Sequence, residues 1–492
     1  MTENAQKYYN SFIERICQVG FIDTLQVIWG YVRNLQFNKE IPSDIETPPK
    51  YNIYKDPNAR RAIGIGEWEF DIILLYSILY SPKETTPRYS LKKFGCLRLV
   101  VNDIRQIRDE IDKSIIPSKE DIFKEFFRLM HRQFQWQENI NIFYTYRFYK
   151  IFSHPLLDSF IKQKTNLNVK ELYQTGLMLA GYFNNKFYSR IPMKTEVTWF
   201  TERMFSSFVN FFSITTDDFV KNYKNKFKFD DSFLYNFNPL RSFPLLIHNN
   251  LLYCPIPTYL LWKMTNGIYY DIVNEKGFDN AIGKSFEDYC GLVFEKSFTR
   301  KQIKILSEIT FNKRGKKSSD WIFIEDKTFL FIECKVKRLR LDSIIRFNNN
   351  IDFENDIEKM IGFLFQTYKS VQDALNKKIQ NINIDDLSQI YVVILTLEDW
   401  HLDLNPFLDK KIQNALHTKF EEKGLDYKII EKYPYIIRSI SLFERDCQVI
   451  DKFGLPEFYR NLKSNTLNDL KENFIYKDIF SDDINAELFE II

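Results

Sequence analysis

Ser319-Asp320-Trp321-Ile322-Phe323-Ile324-Glu325-Asp326-Lys327-Thr328-Phe329-Leu330-Phe331-Ile332-Glu333-Cys334-Lys335-Val336-Lys337 is the stretch on which the fold turns. Two runs of β-branched and aromatic residues flank Asp326-Lys327, and such runs predict strands. With Asp326-Lys327 as a two-residue turn, Glu325 pairs with Thr328, and outward counting sets Asp320 opposite Glu333. Directly opposed residues share a face, with Cβ atoms about 5 Å apart. Side chains alternate along a strand, so Lys335 joins that face. Two carboxylates and one ammonium are therefore expected to converge.

Carboxylates at that distance raise each other's pKa, and a divalent cation relieves the repulsion. Oxygen ligands with water suit Mg²⁺ or Mn²⁺. The Cys334 backbone carbonyl lies between Glu333 and Lys335 and is expected to complete the metal's shell. Such an ion activates water and draws charge from a phosphate, and Lys335 would orient the water. Basic residues flank the acids on both sides: Lys313, Arg314, Lys316 and Lys317 before them, Lys337, Arg338 and Arg340 after. A basic rim around an acidic centre suits a polyanionic backbone.

The wider pattern follows from the same stretch. Upstream, Ile282, Phe286, Tyr289, Cys290, Val293 and Phe294 trace one helix face, and Ile303 to Phe311 has strand composition. Downstream, a helix is expected from Phe353 to Leu375, with Phe353, Ile357, Ile361, Leu364, Tyr368, Val371 and Leu375 on one face. Tyr391 to Leu397 reads as a buried strand. The order is α-β-β-β-α-β, with a further strand near Tyr435 to Leu442.

Asp320 followed across a hairpin by Glu333-Cys334-Lys335 resembles the PD-(D/E)xK nuclease superfamily, which includes many restriction endonucleases. The resemblance covers about residues 278 to 400. It implies an αβββαβ core, a divalent metal, and hydrolysis of DNA or, less often, RNA. It also implies an acid on the preceding helix, the place held by Glu287, with Gly283 and Gly291 leaving room around it. Gln366 and Lys369 fall where some members carry a polar helix residue, though both read better as surface. Ser319 stands where the family usually has Pro. Of three Glu-x-Lys triplets, at 325, 333 and 421, only the second ends an apolar strand and follows an Asp at hairpin distance. By analogy with the family, a role in restriction or defence against foreign DNA is expected. The resemblance leaves a homodimer or defence-system partner proteins open. The alternative is a nucleic-acid-binding or regulatory protein on the same fold that does not cleave.

Residues 1–240 show long three-four apolar spacing and are expected to form a helical region with no assignable activity. Ile122, Phe126, Leu129 and Phe134 exemplify one face; Leu172, Leu177, Leu179 and Tyr182 another. Phe70 to Tyr80 suits a buried helix. Aromatics between Phe134 and Tyr149, interleaved with Arg132, Arg147 and Lys150, read as core rather than as a base-stacking platform. Residues 241–277 read as a connecting hairpin, turning at Asn249-Asn250, and a helix. The nuclease-like domain with its C-terminal extension then spans 278–492.

Composition bounds the rest. The 492 residues carry 16% aromatics and a formal net charge of only +3, so any polyanion contact must be local. Six dispersed cysteines form no Cys-x-x-Cys pair and suggest a reducing compartment. Met1 to Asn10 lacks signal-peptide character and no apolar run reaches membrane length, so a cytoplasmic, membrane-free protein is expected.

Overall fold

A computed structural model describes all residues except 1, 49–63, 84–86, 116–118, 139–140, 195, 300–301, 314, 341–350, 402–405, 464–475 and 490–492. The chain divides into two units: Met1–Phe278 with Asp482–Ile492, and Asp279–Ser481. The first is mainly helical; the second is α/β.

The first unit contains α1 (Glu3–Ile16), α2 (Phe21–Phe37), α3 (Glu67–Tyr80), α4 (Phe94–Ile115), α5 (Lys119–Glu138), α6 (Ile142–Phe152), α7 (Pro155–Thr165), α8 (Val169–Phe183), α9 (Glu202–Phe212) and α10 (Thr216–Tyr223), with α11 (Thr258–Trp262) and α12 (Ile268–Ile272) joined by a π-helical turn at Lys263–Gly267. Helix α3 buries nearly its whole length, as its continuous apolar run demands. Trp136, Tyr144, Tyr146, Phe148 and Tyr149 are core residues, as expected, but Phe143 of the same run is exposed. On α5 the expected face is misplaced: Ile122 and Phe126 are exposed, and Phe127 and Met130 are buried instead.

This helical unit also contains a sheet. Strands β1 (Tyr188–Arg190), β2 (Ser213–Thr215), β3 (Leu245–His248) and β4 (Leu251–Tyr253) pair in the order β1-β4-β3-β2. Asn249 and Asn250 both adopt positive φ, at 49° and 58°, which makes the expected tight hairpin. That hairpin is no linker: it forms the centre of the first unit's sheet. The two outer strands are three residues long, too short to show a period-2 pattern.

The second unit starts with α13 (Phe278–Ser297) and β5 (Lys304–Ser307). A small hairpin follows, β6 (Thr310–Phe311) with β7 (Lys316–Lys317), then β8 (Trp321–Glu325), β9 (Thr328–Lys335), α14 (Ile351–Leu375) and β10 (Gln389–Thr396). Helix α15 (Pro406–Glu422), a short α16 (Lys428–Lys432), β11 (Tyr435–Ser439), α17 (Ile440–Phe453) and α18 (Leu455–Lys463) complete it. The five-stranded sheet runs β11-β10-β9-β8-β5, antiparallel from β5 through β9 and parallel beyond. Parallel strands need a crossover, and α14 supplies it between β9 and β10. Strand β9 is central, and seven of its eight residues are buried, which explains its apolar character on both faces.

Two expectations change. Ile303 to Phe311 is not one strand: β5 stops at Ser307. Lys316 and Lys317 pair back with Phe311 and Thr310. Tyr435 to Leu442 ends as a strand at Ser439, where α17 begins. No helix among the described residues is long and apolar enough to cross a membrane.

Candidate functional site

Register sets the site. Glu325 pairs with Thr328 and Trp321 with Ile332, the predicted alignment, with Asp326 at φ 52° in the turn. One more step brings Asp320 beside Glu333. The ladder stops there, because the Cys334 backbone N–H donates to the Asp320 carboxylate at 2.7 Å instead of continuing strand pairing. A strand residue's N–H and C=O point to the same edge, so the Cys334 carbonyl also faces Asp320.

The two faces of the hairpin are distinct. Trp321 and Phe323 meet Phe294 of α13, with ring centroids 5.3 and 4.8 Å apart. Asp320, Glu333 and Lys335 occupy the other face, toward α14. There the Lys335 ammonium lies 5.4 Å from the Phe363 ring, and the Ser319 N–H donates to Ser370 Oγ at 3.0 Å. Lys335 Nζ is 2.7 Å from Glu333 Oε1 and 4.0 Å from Asp320 Oδ2.

Burial governs the electrostatics. It pushes Glu333 up to about 7, with the Asp320 charge adding and Lys335 opposing. Burial also raises Asp320; Lys335 and the Cys334 N–H work against it, and the Glu308 charge works with it. Burial would lower Lys335, but Glu333 and Asp320 outweigh it and the ammonium is held above its ordinary range. Lys335 is thus the ammonium within reach of both acids. Burial holds the Cys334 thiol well above its ordinary range, so it is no nucleophile.

Glu287 on α13 is raised by burial and further by the Asp320 charge, while Lys284, 3.1 Å away, opposes. The Asp320 charge is thus felt on α13, which packs against the other face of the hairpin. Gly291 earns its place differently than expected. A Cβ there would meet the Trp321 ring at 2.8 Å, so the glycine admits Trp321, whereas Gly283 faces open space. Gln366 and Lys369 are exposed on α14, as the surface reading required.

Glu308 was missed. Ser307 pairs with Trp321, and Ile309 and Ser318 exchange hydrogen bonds: Ser318 N–H to the Ile309 carbonyl, and Ile309 N–H to Ser318 Oγ. Between these two links stands one residue on one strand, Glu308, and two on the other, Ser319 and Asp320. That is a β-bulge, a device that re-aims side chains beside sites. Glu308 comes to lie by Asp320, and its charge is felt by both Asp320 and Glu333. No local motif marks it; only the strand pairing does.

No protein family, curated protein or solved structure matches this chain. The site must be read from its own chemistry.

Much of the expected basic rim is committed elsewhere. Arg338 is buried, 4% exposed, and lies 3.3 Å from Glu398. Lys337 is 2.5 Å from the fully buried Asp356, and Arg340 pairs with Asp352 on the same helix. Lys316 pairs with Asp373. Lys313 is exposed, Lys317 lies 2.7 Å from Glu308, and Arg314 falls outside the described residues. The rim after the acids therefore pins the chain leaving β9 onto α14 and onto the turn after β10, since charged groups this buried must be paired.

Every side-chain donor in the centre is a carboxylate oxygen, which fits a hard cation rather than zinc or copper. Among the described residues, no three His, Cys, Asp or Glu groups already stand close enough together to hold a metal ion.

Proposed function

We propose that the second unit is a restriction-endonuclease-like, metal-dependent nuclease that hydrolyses phosphodiester bonds, with DNA favoured over RNA. One observation carries the reading: half-buried Asp320 and buried Glu333 share a sheet end with Lys335, and Glu287 on α13 feels the Asp320 charge. The α-β-β-β-α-β order around the β8–β9 hairpin supports it.

Asp320, Glu333 and the Cys334 carbonyl would hold Mg²⁺ or Mn²⁺, with Glu287 in support. Such an ion lowers the pKa of bound water and draws charge from the scissile phosphate. The chain's own groups do the remainder. Lys335 orients the attacking water and offsets charge that builds on the phosphate. The Cys334 N–H fixes the Asp320 carboxylate so that it need not reorganise during reaction. Restriction or defence against foreign DNA would follow by analogy with that class of enzyme.

A non-cleaving nucleic-acid-binding or regulatory protein is the second reading, favoured by the absence of a ready-made three-ligand cluster among the described residues. The purified full chain, incubated with supercoiled, linear and single-stranded DNA and with RNA, separates the two. Cleavage with Mg²⁺ or Mn²⁺ that EDTA stops is the expected result. Intact nucleic acid of every form, with either ion, leaves only the binder.

A further inference from the structure

We propose that Glu308 is a positioning residue for this site: it holds the Lys317 ammonium beside Asp320 and Glu287, where that ammonium contacts a phosphate of the nucleic-acid substrate. The inference rests on the nuclease reading and deepens it.

Three observations carry it. The bulge at Ser319-Asp320 brings Glu308 to the acidic centre, and the exchange between Ile309 and Ser318 locks that geometry. The Lys317 ammonium lies 2.7 Å from Glu308, and the charges of Glu287 and Asp320 both act on it. Finally, Lys316, Lys337, Arg338 and Arg340 are turned to other acids. Among the described residues, Lys317 is thus the rim cation tied to the centre itself.

A lysine side chain loses much rotamer freedom when it is fixed on a ligand. Glu308 fixes it in advance, which is how a scaffold prepares a contact. The pair is also half wet: the Lys317 side chain is 62% exposed and that of Glu308 29%. A phosphate can therefore reach the ammonium without first expelling a buried acid.

The sign of one mutation decides the matter. Glu308 is a negative charge close to a bound polyanion, so if it did nothing else its removal would tighten binding. As a positioning residue its removal must weaken binding. The affinity of the full chain for a labelled DNA duplex is measured with Ca²⁺ in place of Mg²⁺, alongside cleavage with Mg²⁺. Glu308→Gln is expected to weaken binding about threefold to fivefold, the scale of an exposed ion pair. Lys317→Ala should weaken it similarly and reduce the slope of log affinity against log salt by about 0.9. The double variant should be no worse than Lys317→Ala alone, and Glu308→Asp should recover part of the loss.

Tighter or unchanged binding by Glu308→Gln overturns the inference and leaves the nuclease reading intact. If Glu308→Gln does not fold, Lys317→Ala decides: unchanged affinity and salt slope overturn it. A wild-type chain that cleaves nothing with Mg²⁺ or Mn²⁺ removes the nuclease reading, and this inference with it.

Discussion

Lys335 and Glu333 lie two residues apart on one strand, with the ammonium 2.7 Å from a carboxylate oxygen. The lysine therefore serves a structural purpose as well as the chemical one proposed for it. It is the near counter-charge for an acid whose side chain is only 4% exposed.

Lys335→Ala is accordingly expected to have two effects. Cleavage should fall by about a thousandfold or more, the scale of losing a group that stabilises the transition state. Stability should also fall, and more at pH 8 than at pH 5, because Glu333 is left ionised and unpaired at the higher pH. Initial rates and thermal melts at both pH values measure this. Cleavage within tenfold of wild type would remove Lys335 from the chemistry.

Glu333 makes stability depend on pH in the absence of a divalent ion. Burial lifts it from 4.5 to about 7. A raised carboxyl pKa means that the folded state binds the proton more tightly than the unfolded chain does. Its stabilising contribution is complete below about 4.5 and is lost as pH rises through about 7. The difference corresponds to roughly 3 kcal/mol. Melting in EDTA should therefore show a decline across pH 5 to 8 that Glu333→Gln flattens.

At pH 8, added Mg²⁺ or Mn²⁺ should raise the melting temperature of wild type, since an ion that binds only the folded state stabilises it. Asp320→Asn and Glu333→Gln should lose that response. Equal stabilisation of wild type and both variants would place the ion elsewhere on the chain.

The hairpin was legible because its register follows from one turn and strict alternation, and both are local. The apolar stripe of α14, from Phe353 to Val371, was legible for the same reason. Glu308 was not, since a bulge is defined by the partner strand and leaves no period in its own. The destinations of Lys337, Arg338 and Arg340 were hidden likewise. A basic run looks the same whether it faces water or buried acids, and Asp356 and Glu398 lie 16 and more residues away. On α5 the helical period was correct but the phase was wrong, since aromatic and aliphatic residues lie on both sides of it.

Arg338 separates those two uses of a basic run. Arg338→Ala is expected to cost about 3 kcal/mol, because it empties a buried site and leaves half-buried Glu398 without this partner. Burial already raises Glu398, so the loss should be milder near pH 5 than at pH 8. Affinity for DNA, measured on the fraction that remains folded, should be nearly unchanged. A clear loss of affinity with an unchanged melting temperature would return Arg338 to the substrate-facing rim.

Two glycines of α13 give the sharpest contrast. Gly291 lets the helix come close to Trp321, the residue next to Asp320, and an added Cβ would meet that ring at 2.8 Å. Gly291→Ala must push the helix and the strand apart, at about 1–3 kcal/mol for an overpacked contact. The shift also carries Glu287, one turn away, from its place near Asp320, so activity should fall further than stability alone explains. Gly283 faces open space in the same helix. There Gly283→Ala adds only helix propensity and should stabilise by about 0.5–1 kcal/mol with activity retained. Thermal melts and cleavage rates of both variants check the pair. If Gly291→Ala is as benign as Gly283→Ala, α13 does not set the position of Glu287, and the acid on that helix has no part in the site.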